Sequence, residues 1–143
     1  MSKKETPENQ KEKLGSIVAE LRILEGVAGE LQARIGMVEA ALREINLASL
    51  TIQNLEKLNK DDELLVPVGA GSYVKTKIAD TEKVAVGIGA GVTVEKTLKE
   101  AISFFENQLN ELSKARASLQ QQFVQVLQRM EALRNEVRKL SSI

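Results

Sequence analysis

The sequence predicts a mainly α protein with a small β region: two long helices paired as an antiparallel coiled-coil hairpin, joined by two β-hairpins that serve as an assembly platform. Three observations carry this. Apolar residues recur in alternating steps of three and four towards both ends of the chain. A glycine-rich, β-branched block separates the two runs. That block repeats, with "PVGAGSYV" at 67–74 returning as "GIGAGVTV" at 87–94.

The first helix is expected over 8–59, after a disordered tail at 1–7. Its apolar positions are Leu14, Ile17, Leu21, Leu24, Ala28, Leu31, Ile35, Val38, Leu42 and Ile45. This is a heptad seam, narrower than the stripe of a globular helix. Beyond Ile45 the register blurs through Leu47, Leu50, Ile52, Leu55 and Leu58, and "NKDDE" at 59–63 ends the helix with weak helix formers. The second helix is expected over 96–141. From Leu98 through Ile102, Phe105, Leu109 and Leu112 to Leu140 its alternation is broken only by Arg116, a polar residue expected to set register or to snorkel.

Runs of nearly equal length joined by a short middle imply antiparallel pairing, with Leu58 beside Leu98 and Leu14 near Leu140. Each arm is expected to reach roughly 65 Å at the helical rise. Composition agrees: aromatics are 3% and charged residues 28%, the balance of helices with Leu, Ile and Val seams and charged outer faces.

The middle, residues 64–95, changes period. "ELLVPV", "SYVKTKI", "KVAVGI" and "VTVEK" are short and β-branched, as strands are. Gly69-Ala70-Gly71 and Gly89-Ala90-Gly91 supply the positive φ that tight hairpin turns need. The repeat therefore reads as a duplicated hairpin.

A phosphate-binding role for these glycines fails on context. A dinucleotide fingerprint has G-x-G-x-x-G between strand and helix, whereas Gly87, Gly89 and Gly91 are spaced G-x-G-x-G before a strand. A phosphate loop continues Gly-Lys-Ser/Thr, and Gly71 precedes Ser72-Tyr73 instead. His and Cys are both absent, so no imidazole base, thiol nucleophile or ordinary zinc site is expected. Asp61, Asp62 and Glu63 lack the alternating ligands and central glycine of a calcium loop. No catalytic group and no cofactor is expected, and the chain is not expected to be an enzyme.

Twenty basic and twenty acidic residues cancel, and Lys3, Lys4, Lys11 and Lys13 are interleaved with acids, so neither nucleic acid nor a membrane surface is an expected partner. No apolar run of membrane-spanning length occurs, and the polar start "MSKKETPENQKEK" has no apolar signal core. A cytoplasmic location is expected.

What remains are surfaces. Four short strands do not close a stable barrel alone, and their edges invite pairing with another chain. The candidate assembly residues are Val66, Val68, Val74, Ile78, Val84, Val86, Ile88, Val92 and Val94. The candidate binding residues lie at the coiled-coil tip, where seam residues lose cover: Leu14, Ile17, Leu21, Val137, Leu140 and Ile143, with Ile23 and Val27 outside the seam.

The order helix, two hairpins around "VPVGAGSYVKTKI" and "VAVGIGAGVTVEK", then matching helix resembles the alpha subunit of archaeal prefoldin, from about residue 8 to 143. The resemblance implies a hexamer of two alpha and four beta subunits whose hairpins build β-barrels. It implies a chaperone that captures unfolded polypeptides at the coiled-coil tips without ATP and delivers them to a group II chaperonin. The alternative class is a coiled-coil structural or adaptor protein that binds one folded partner.

Glycines distinguish the two helices. Gly15, Gly26, Gly29 and Gly36 all fall outside the first seam, and the second run has none. Each weakens a helix by about 1 kcal/mol relative to Ala. Amide exchange is therefore expected to be faster over 14–36 than over 110–135, and equal protection would contradict a softened first helix.

Overall fold

A computed structural model describes residues 7–141. Its elements are α1 (Pro7–Leu55), β1 (Glu63–Gly69), β2 (Ser72–Lys77), β3 (Lys83–Gly89), β4 (Val92–Thr97) and α2 (Leu98–Ser141). Of the expected disordered tail, residues 1–6 lie outside the described residues. Pro7 opens α1 instead, where its fixed φ suits the helix and its missing N–H is not needed. The described residues divide into two compact units, residues 7–40 with 114–141, and residues 41–113.

In the first unit the two helices bury their predicted seam. Ile17, Ala28 and Leu31 of α1 and Met130 and Leu133 of α2 are buried, and the seam residues between them are half-buried. Ile17 shares a cleft with Leu140, Leu31 with Val126, and Val38 with Leu119. Numbers rise on one helix as they fall on the other, so the pairing is antiparallel. Arg116 is half-buried at its seam position, as a snorkelling side chain is.

Glu20 and Arg129 tie the helices together through two contacts, Nε to Oε1 at 3.0 Å and Nη2 to Oε2 at 3.3 Å. The hydrogen bonds and the attraction of the carboxylate hold the guanidinium pKa above its ordinary value. The pair is exposed, so it fixes register more than it adds stability. A Cβ placed on Gly15, Gly26, Gly29 or Gly36 would meet nothing within 4 Å, so packing within the chain does not require these glycines.

The second unit carries the hairpins. β1 pairs with β2 and β3 with β4, both antiparallel, as two separate two-stranded sheets. Every pair in the second ladder is a pair of the first moved on by twenty residues: Val66↔Val74 becomes Val86↔Val94, and Pro67↔Tyr73 becomes Gly87↔Thr93. The hydrogen bonds below the strands repeat as well. Ile78 N donates to Asp62 O at 3.0 Å, and Leu98 N donates to Glu82 O at 3.3 Å.

Each turn is a two-residue loop with positive φ at both positions, 50° and 73° at Ala70 and Gly71, 52° and 73° at Ala90 and Gly91. That is the turn whose twist matches the flanking strands. Glycine suits the second position, but alanine occupies the first against its steric preference.

α1 stops at Leu55, four residues before the expected end. Lys57 N and Leu58 N donate to carbonyls three residues back, which tightens the last turn. Asp62 Oδ2 then accepts from Asn59 N at 2.7 Å and turns the chain towards β1. α2 starts two residues later than expected, at a capping box. Thr97 Oγ1 accepts from Glu100 N at 3.1 Å while Glu100 Oε2 accepts from Thr97 N at 3.4 Å.

Ile52, Val86, Leu98 and Ala101 form the core of this unit, flanked by Val84, Ile102, Phe104 and Phe105. The seam of α1 does not blur after Ile45. It continues through the half-buried Ala48 and the buried Ser49 and Ile52, while Leu47 and Leu50 face outwards. Ala48 and Ile52 share a cleft with Phe105, so the small Ala48 meets bulk on α2. Ser49 is tolerated inside because its Oγ accepts from Gln53 Nε2.

Replacing Ala70 by Asn, which tolerates left-handed φ, is expected to stabilise the chain by about 1 kcal/mol, and Ala70→Val to destabilise it at least as much. Denaturant melts of the two variants check this.

Candidate functional site

Sequence spacing offers two surfaces, and the structure sorts the residues of each. The nine hairpin candidates do not form one class. Val86 is only 3% exposed and Ile78 is also buried, so both belong to the chain's own core. Val84 and Val94 are half-buried, whereas Val66, Val68, Val74, Ile88 and Val92 are exposed. Charge at Val86 therefore disrupts the fold before it disrupts any assembly.

The duplication makes the contrast sharp. Val66 and Val86 occupy the same ladder position, yet Val66 is 43% exposed. Val86 lies on the helix ends at Ile52, Leu98 and Ala101, and the first hairpin has no equivalent cover. Facing pairs share one side of a ladder, so Leu64, Val66, Val74 and Thr76 make an apolar face that the chain leaves largely open. The opposite side adds Leu65 and Tyr73, both more than half exposed. Hairpin 2 is further anchored by Lys96, whose Nζ stands 5.3 Å from the centre of the Phe104 ring.

The tip candidates also divide. Ile17 is 7% exposed, a correction to its expected exposure. Ile17 sits within the seam there and lines one cleft with Leu140 of α2. Leu14, Leu21, Val137 and Leu140 are half-buried, as expected of a partly covered seam. Ile143 lies outside the described residues. Ile23, by contrast, is 67% exposed, and Val27 is exposed too.

Seam counting missed several uncovered apolar side chains: Val18 and Met37 on α1, and Val124 and Leu127 on α2. A helical wheel finds them only by asking which apolar residues fall off the seam. The tip cleft has Ile17 and Leu140 on its floor and Lys13, Glu136 and Lys139 on its rim.

Among the described residues no acidic cluster is arranged to hold a metal ion. No helix among them is long and apolar enough to cross a membrane. The arrangement offers apolar contact surfaces.

Comparison with known proteins places these surfaces in context. A family model described as Prefoldin subunit matches residues 24–142. The prefoldin subunit alpha of Methanopyrus kandleri is 38% identical over 121 residues, covering 85% of this chain and 77% of that one. The prefoldin subunit alpha of Pyrococcus horikoshii is 36% identical over 109 residues, covering 76% and 73%. A cryo-EM structure of filamentous prefoldin from Methanocaldococcus jannaschii superposes with a TM-score of 0.69 at 26% identity, covering 82% of this chain and 98% of its own.

The burial contrast at equivalent positions yields a direct test. Val86→Asp is expected to cost at least about 3 kcal/mol of stability, because it leaves a charge unpaired in the core. Val66→Asp is expected to change stability by less than about 1 kcal/mol. Thermal melts of the two variants, each as the isolated chain, measure the difference.

Proposed function

The chain belongs to the prefoldin family of chaperone subunits, and from that premise we propose that it is the alpha-type subunit of an ATP-independent holdase. Two such chains and four beta-type subunits would join through their hairpins into a hexamer. The free ends of the helix pairs would hold unfolded polypeptides and pass them to a group II chaperonin in the cytoplasm.

The observation that best supports this reading is the apolar surface left uncovered in both units. Val66 and Val74 on the first hairpin suit a permanent neighbour, since an open strand edge and an apolar face lie together there. Ile23 and Val27 on the helix pair suit transient contacts. Burying apolar client groups gains about 25 cal/mol per Å². Several arms in one assembly turn such weak contacts into useful avidity. No covalent step and no nucleotide enter this mechanism.

Removing residues 1–21 together with 133–143 is expected to weaken suppression of client aggregation while the oligomer persists. The pair Val66→Asp and Val74→Asp is expected to abolish the oligomer while the chain stays helical. Light scattering with several unrelated unfolded clients, and mass measurement with and without a beta subunit, give the two readouts. Binding of one folded partner, with no unfolded client held, would favour the adaptor reading instead.

A further inference from the structure

Duplication gives the chain two hairpins of one design, so a difference between equivalent positions is informative. On the side that bears Val66 and Val86 the two agree, since Val74 likewise corresponds to Val94. On the opposite side they differ at each position. Leu65 corresponds to Ala85, Pro67 to Gly87 and Tyr73 to Thr93, so bulk on the first hairpin becomes room on the second. Lys75 corresponds to Glu95, which reverses the charge.

Within the chain both of these outer sides stay uncovered. Leu65 and Tyr73 are each 61% exposed, and Lys75, Ala85, Thr93 and Glu95 are exposed as well. Among the described residues neither Lys75 nor Glu95 has an ion-pair partner. Sides that meet only water have no need to match in size or sign. Bulk set against room, with opposite charges at one ladder position, is what mating surfaces show.

We propose that these outer sides bind each other between two copies of the chain, the first hairpin of one copy stacking on the second hairpin of the next. Ribbons of the same hand, stacked face to face with their turns at opposite ends, bring β1 over β3 and β2 over β4. Leu65 then lies over Ala85 and Lys75 over Glu95, across the roughly 10 Å gap of packed sheets. First hairpin on first would oppose Lys75 to Lys75, and second on second Glu95 to Glu95, so like pairings are disfavoured.

Each copy carries one side of each kind. A pair formed in this way therefore keeps one of each free, and the contact can repeat. It is separate from the Val66 and Val74 face proposed above for the hexamer and does not rest on it. Strands of this length make a face only about 20 Å long. That is less than a standard interface, so the association is weak and grows with concentration.

Sedimentation velocity of the full chain, over a concentration series at low salt, reads the association. The mass of the unaltered chain is expected to rise with concentration, and less so at high salt. A chain that stays monomeric throughout would overturn the proposal and leave the hexamer reading standing. Lys75→Glu and Glu95→Lys are each expected to weaken association about tenfold. Their equimolar mixture is expected to recover it, because the acid introduced in one meets the base introduced in the other. Association insensitive to both variants, or no recovery in the mixture, would overturn the proposal. Ala85→Leu fills the hollow without changing charge and is expected to weaken association several-fold. All three positions are exposed, and unchanged far-UV circular dichroism verifies the fold.

With a beta subunit, the two charge variants are expected to assemble as the unaltered chain does. Loss of that assembly would put Lys75 and Glu95 in the hexamer's own interface and overturn the proposal. Failure of the unaltered chain to assemble with a beta subunit, with recovery in the mixture intact, would end the hexamer reading alone.

Discussion

A two-stranded β-ribbon has no interior, so its apolar side chains must find cover elsewhere or face water. In this chain the same ribbon occurs twice and meets that constraint in two ways. The second ribbon lays Val86 on Ile52, Leu98 and Ala101, where the two helices end and begin. The first carries a valine at the same ladder position and finds no such bed. Cover from a neighbouring chain would meet the first ribbon's need, which is what the assembly proposed above would supply.

The helix pair works under a related constraint. A heptad seam is narrow, so it buries one stripe on each helix and leaves the flanks to be decided residue by residue. Charged flank side chains pair off in two places, Glu20 with Arg129 and Glu30 with Arg34. Apolar side chains such as Ile23 are therefore conspicuous by position rather than by number. Their exposure suits contacts that form and break, since nothing else in the subunit depends on them.

Much of this was legible in the residues themselves. Alternating steps of three and four located both helices, and the duplicated Gly-Ala-Gly runs located both turns. Three features were not legible, each for a physical reason. Ser49 continues the seam, but a seam read from apolar residues alone skips a hydroxyl and runs through Leu47 and Leu50, which the fold turns outwards. Val66 and Val86 carry the same local signal, and only tertiary packing separates an open valine from a core one. Ile17 was expected to lose cover near the tip, but it stays buried in the seam, in a cleft shared with Leu140. Local pattern reports which face a side chain takes; it does not report whether that face has company.

The twenty-residue repeat also has a consequence for the lineage of the chain. Each ribbon is closed at its base in the same manner, the first by the bond from Ile78 N to Asp62 O and the second by that from Leu98 N to Glu82 O. A segment of that length can enter or leave without altering how the chain passes into α2. One duplication thus gives the chain a second ribbon while its helices stay as they were. A chain built this way can gain or lose a whole ribbon, and with it the apolar face that ribbon leaves open, by copying one short stretch of sequence.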